Sequence, residues 1–128
     1  MPLTPLQRTR QQRIERLRGW ILKILYEARP LPLELVVLSA TLDEVNFGVS
    51  RRSLAGEVEF LRALDLVRVF PLGSKTKISE PEQAILLQRF SESDNDGELN
   101  LSLCATLSYQ GINFQEGLED AGGVSRVR

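Results

Sequence analysis

The sequence predicts an α+β domain: three helices, a small antiparallel pair of strands enlarged by an insertion, and a short closing helix. Three observations predict it. Apolar residues recur at spacings of three and four through three successive segments between Thr4 and Leu64. The period then changes to two at "LVRVF" (66–70) and again at "LSLCATLS" (101–108). Capping residues and Pro or Gly stop signals separate the runs.

The first helix spans Thr4 to Ala28. Ile14, Leu17, Ile21, Ile24, Leu25 and Ala28 make one stripe of a long amphipathic helix. Thr4 followed by Pro5 suits an N-cap and a first helical position, where the missing N–H is no loss. Gly19 weakens the middle of the helix by about 1 kcal/mol relative to Ala. Pro30 and Pro32 end it. Residues 1–12, rich in Gln and Arg, read as a basic extension that frays or becomes ordered only on a partner.

A second helix covers about Leu33 to Val45, with Leu35, Leu38, Leu42 and Val45 on one face. "NFG" at 46–48 stops it, with Gly48 placed for the left-handed C-terminal conformation. Ser50 caps a third helix. Its inward stripe is Leu54, Val58 and Leu61, with Phe60 and Leu64 beside it. The turn between the second and third helices is about four residues long, short enough for a helix-turn-helix crossing.

"LVRVF" is enriched in Val and Phe and reads as a strand, broken by Pro71, Gly73 and Ser74. "KTKIS" is a returning strand or a loop. "PEQAILLQRF" (81–90) fits a helix opened by Pro81 or a strand built on "ILL". "SESDNDGELN" is acidic, with an Asp96-Gly97 turn signal suited to a hairpin tip. "LSLCATLS" alternates as a strand, "YQGINFQEGLED" makes a short helix or turn, and "AGGVSRVR" a loose tail. The expected organisation is a basic extension over 1–12, one domain over 13–118 with an insertion at about 71–100, and a flexible tail over 119–128.

The chain of 128 residues has 42% hydrophobic and 26% charged residues, the profile of one soluble domain with an aliphatic core. Histidine is absent, which removes the commonest general base and metal ligand. Cys104, the single cysteine, lies between Leu103 and Ala105 and reads as a buried, inert thiol; alone it makes neither an intramolecular disulfide nor a zinc site. No apolar run approaches the roughly 18 residues of a membrane span, and no secretory signal is evident. A reduced, cytoplasmic setting is expected. Without a phosphate-binding glycine loop, a serine elbow or a metal-spaced cluster, no enzyme activity and no cofactor are expected.

Net charge is −1, but it is unevenly spread. Residues 1–30 carry seven Lys/Arg against two Glu, and 51–78 carry six against three acids. Residues 79–100 carry one Arg against six acids. Such segregation puts a local positive face on a neutral molecule.

The order of elements, and above all "VSRRSLAGEVEFLRALDLVRV" with Leu61, Leu64 and Leu66 at the corner between helix and strand, resembles a winged helix-turn-helix domain. "ATLSYQGINFQEG" is similar to the close of many winged-helix regulators. More narrowly, "RGWILKILYEA", "VSRRSL" and "ATLSYQG" followed by a Gly-Val-Ser-Arg tail resemble an ArsR-like winged-helix family encoded by Mu-like phages and prophages. The resemblance covers roughly residues 13–70 and 101–128. The thirty or so residues over 71–100 depart from a compact wing. It implies binding of double-stranded DNA, a role in transcription regulation inside a bacterial host cell, and a homodimer. Metal sensing of the ArsR type is not implied, since His and a second Cys are lacking.

On that resemblance the third helix enters the major groove by its first turn. Ser50, Arg51, Arg52 and Ser53 then face base edges or phosphates, and Arg62, Arg68, Lys75 and Lys77 extend the basic footprint. Glu57 and Glu59 on the same helix oppose it, because a carboxylate facing phosphates is repulsive. The alternative is that Arg51 and Arg52 simply solvate a first turn, slightly against the helix dipole. Leu17, Trp20, Ile21, Leu22 and Leu25 exceed one narrow stripe; they contact a second copy or pack beneath the insertion within one chain. A protein–protein adaptor with no DNA binding is the alternative function.

Overall fold

The computed structural model describes residues 2–73, 78–92 and 103–128. Among them lie five helices and a three-stranded antiparallel sheet, an α+β arrangement compatible with a wing-like sheet.

Helix α1 (Pro5–Ala28) opens with a capping box. The Thr4 hydroxyl accepts from the Gln7 amide at 3.2 Å, and the Gln7 side chain accepts from the Thr4 amide at 2.9 Å. The segment expected to fray is therefore helical from Pro5, yet every residue from Pro2 to Arg13 is exposed. Strand β1 (Leu33–Glu34) follows, then α2 (Leu35–Glu44). The expected start at Leu33 moves by two residues because β3 draws Leu33 and Glu34 into the sheet. The left-handed residue after α2 is Asn46, with φ 65°, and not Gly48. Gly48 lies beside the Asp43 carboxylate, an exposed side chain that can turn aside.

Helix α3 (Arg51–Ala63) is capped by Ser50, whose hydroxyl accepts from the Ser53 amide at 3.1 Å. It buries Leu54, Ala55, Val58 and Leu61. Asp65, at φ 61°, turns the chain into β2 (Val67–Pro71). The ambiguous segment of the insertion is a helix, α4 (Glu80–Glu92), which buries Gln83, Leu87 and Phe90 at helical spacing. Strand β3 (Leu103–Leu107) and helix α5 (Tyr109–Gln115) complete the fold. Strand order is β1-β3-β2, with Leu33 and Val69 both opposite Ala105.

One continuous core joins α1, α2, α3, α4 and the sheet. Two expectations change here. Leu17, Ile21, Leu22 and Leu25, read as a possible interface with a second copy, are at most 5% exposed within the single chain. The sheet, α2, α3 and α5 all pack on α1, so a broad apolar arc is consumed internally; Trp20 is half-buried against the same core. The end of the chain, read as a flexible tail, is held down. The Ser125 amide donates to the Glu15 carbonyl at 3.1 Å, and Gln115 donates to the Val127 carbonyl at 2.6 Å. Arg126 donates to the Phe114 carbonyl at 2.6 Å and stacks 4.7 Å from that ring's centre. The tail crosses α1 at Gly19, where a Cβ would stand 1.7 Å from the Ser125 carbonyl oxygen. Only hydrogen fits there.

Candidate nucleic-acid interface

The candidate interface is built on the first turn of α3. Ser50, with its hydroxyl 3.1 Å from that of Ser53, fixes the turn, and Arg52 and Ser53 are exposed. Arg51, adjacent in sequence, does something different. Its Nε donates to the Phe90 carbonyl at 2.8 Å, and its guanidinium lies 4.0 Å from the centre of the Phe90 ring. A guanidinium at a helix's carbonyl end satisfies an orphan acceptor and meets the negative pole of the helix dipole. Arg51 thus joins α3 to the last turn of α4.

Arg62 is also engaged. It forms a two-pronged ion pair with Glu59, at 2.7 and 2.6 Å, and its side chain is only 11% exposed. The hydrogen bond to Glu59 outweighs desolvation and raises the guanidinium's affinity for its proton; Glu80 and Asp65 add to the same effect. With Arg51 meeting Phe90 and Arg62 feeling Glu80, α3 and α4 run antiparallel side by side. Arg68 is exposed on β2, opposite Thr106 of β3. Lys75 and Lys77 lie outside the described residues.

The two acids that opposed a phosphate contact are both neutralised within the chain. Glu59 is held by Arg62, and Glu57 pairs with Arg18 of α1. Arg18 also stacks 3.6 Å from the centre of the Phe60 ring and donates to the Gly123 carbonyl at 2.9 Å. One side of α3 therefore faces α4 and another faces α1 and the tail. The outward strip between them carries Arg52, Ser53, Gly56 and Ala63.

A groove of about 720 Å³ lies beyond the C-terminal end of α3, lined by Arg62, Arg68, Phe70, Glu80, Thr106 and Tyr109 among others. Gln83 at its wall is held at both ends of its carboxamide. Its Oε1 accepts from the Val69 amide at 2.9 Å, and its Nε2 donates to the Ile78 carbonyl at 3.2 Å. Among the described residues, no group of three His, Cys, Asp or Glu side chains could hold a metal ion, and no helix is long and apolar enough to cross a membrane. Comparison with family models, with curated proteins and with solved structures returns no match for this chain.

Arg51 and Arg52, neighbours read alike in the sequence, part company in the structure: Arg51 is joined to α4 and Arg52 is exposed. Glu57 and Glu59, read as free opposing charges, are each paired with an arginine. The i, i+3 spacing of Glu59 and Arg62 was a legible signal for one of them. The Arg18–Glu57 pair spans 39 residues and had no local signal.

Proposed function

We propose that this chain binds duplex DNA as a winged helix-turn-helix protein, with α3 as its reading helix, and acts in a phage or prophage as a regulator of transcription. One observation carries the proposal. The capped first turn of α3 exposes Arg52 and Ser53, while the nearby carboxylates Glu57 and Glu59 are each covered by an arginine of the same chain. The element order, with β1 before α2, with β2 and β3 after α3, and with the three strands in one sheet ordered β1-β3-β2, supports it. A major groove about 12 Å wide admits one helix, not two abreast. With α4 alongside, α3 approaches by its N-terminal end, and Arg52 is the side chain with the fork geometry to reach guanine or a phosphate. Arg68 on β2 supplies a second cation on another element.

A protein-binding adaptor is the second reading, and α4 favours it. The carbonyl end of α4 sits beside the first turn of α3, where its negative pole repels phosphates. Titration of a labelled duplex with the wild-type chain and with Arg52→Ala and Arg68→Ala decides between them. Each lost phosphate contact lowers the slope of log affinity against log salt by about 0.9. A wild-type chain with no salt-sensitive duplex binding refutes the DNA reading and leaves the adaptor.

A further inference from the structure

We propose that the first turns of α1, from Pro5 to Arg16, form a basic arm that grips the phosphate backbone of duplex DNA beyond the first turn of α3. The inference adds a second contact element to the proposed function, and its test separates the two.

The arm is helical but uncovered. All residues from Pro5 to Gln12 are exposed, so about 12 Å of helix lies ahead of Arg13, which touches Phe47. Arg8, Arg10, Arg13 and Arg16 lie on it, and Glu15 is the only acid in the segment. This charge works against the helix that carries it. Cations at a helix N-terminus oppose the dipole, and the i, i+3 pairs Arg10–Arg13 and Arg13–Arg16 repel. The first turn has no acidic residue to compensate. Helix formation is instead secured by the Thr4–Gln7 capping box and by Pro5 at the first helical position. Local rules broken in this way concentrate at functional sites.

Position relates the arm to α3. Arg18 touches Glu57 and Phe60 in the middle of α3. Five residues earlier, Arg13 lies 4.9 Å from the centre of the Phe47 ring and donates to the Asn46 carbonyl at 3.4 Å, just before α3 begins. Moving toward the N-terminus of α1 is thus moving past the N-terminus of α3. Arg8 and Arg10 therefore extend beyond the turn that exposes Arg52. Arg8 and Arg10, two residues apart, point to different sides of the helix, as suits a rod flanked by phosphates. Gln11 and Gln12 add neutral groups of the kind that bond sugar and phosphate oxygens. An anionic membrane is the poorer occupant, because between Pro5 and Arg13 Leu6 is the only large aliphatic side chain and no apolar stripe exists to insert.

The test compares the full wild-type chain, the triple variant Arg8→Ala/Arg10→Ala/Arg16→Ala, and Arg52→Ala. Each is titrated by fluorescence anisotropy against a short mixed-sequence duplex and against phosphatidylserine vesicles. The triple variant should lower the log–log salt slope by about 2.7, so that the affinity lost between about 50 and 200 mM salt shrinks roughly 40-fold. Its helix content and melting temperature should hold or rise, since repulsions are removed. A triple variant with an unchanged slope overturns the arm, and a weakened Arg52→Ala beside it leaves the α3 reading standing. The reverse pattern supports the arm and overturns α3 as the contact. Absence of duplex binding by the wild type, or vesicle binding in its place, overturns both.

Discussion

Replacing Gly19 by Ala tests the docking of the chain's end with a change of sign. In a solvated helix this substitution stabilises by about 1 kcal/mol. Here the new Cβ would lie 1.7 Å from the Ser125 carbonyl oxygen, 2.9 Å from its carbon and 3.2 Å from a Val127 methyl. Backbone cannot yield by so much in place, so residues around Ser125 must lift away. The Ser125–Glu15 bond goes first, and the bonds from Arg18 to Gly123, Gln115 to Val127 and Arg126 to Phe114 are within reach of the same displacement. At about 1 kcal/mol net for each bond, two to four are lost. Set against the propensity gain, full-length Gly19→Ala should be roughly 1–3 kcal/mol less stable by urea denaturation. In a chain ending at Asp120 the same substitution meets no obstacle and should stabilise by about 1 kcal/mol. The two backgrounds form a double-mutant cycle whose coupling reports the crossing directly. Stabilisation by Ala in both backgrounds would refute the crossing of the tail over Gly19.

Other consequences are as direct. Arg51→Ala should destabilise by about 1 kcal/mol or more through loss of the Phe90 carbonyl bond and ring contact, whereas Arg52→Ala should stay within about 0.5 kcal/mol; equal effects would contradict their different roles. Gln83→Ala leaves the buried Val69 amide without its acceptor and should cost roughly 1–3 kcal/mol, measured by denaturation. Leu61→Ala removes a fully buried side chain of α3 and should cost about 2–5 kcal/mol. Burial pushes the Cys104 thiol above its ordinary value of 9.0, with a smaller contribution from Glu34. The folded chain therefore holds that proton more tightly than the unfolded one, so this group's contribution to stability is fully present below about pH 9 and is lost as pH rises through the raised folded-state value. Cys104→Ala should flatten that alkaline decline in a pH series of melting temperatures.

Elements carried by local chemistry were legible in the sequence. Thr4-Pro5 and Ser50 announce α1 and α3, and the alternation at 66–70 and 101–108 announces two strands. What required a distant partner was not. Strand β1 has two residues, too few for a period, and exists because β3 offers it an edge. The run "AILLQRF" suits helix or strand by periodicity alone; Leu87 and Phe90 buried on one side, with Gln83 bonded to the open edge of β2, settle it as α4. Gly19 looked like a local weakness because the chain crossing it lies more than a hundred positions later. Arg51 and Arg52 are indistinguishable by sequence until Phe90, 39 residues on, claims one of them. Leu17, Ile21, Leu22 and Leu25 were equally suited to a partner copy, since an apolar arc does not say whose atoms will cover it.

Among the described residues, strand β2 stands at the margin of its sheet, where unpaired amides usually invite another molecule's backbone to add on and seed insoluble fibres. By offering its carboxamide oxygen to the Val69 amide, Gln83 fills one such vacancy with a side chain of α4, which packs against the strand. Insertion of α4 between two neighbouring strands thus acts as a guard on solubility, independent of whatever the molecule recognises. Chains altered at Gln83 should show it first as turbidity on concentration, before any change in what they bind.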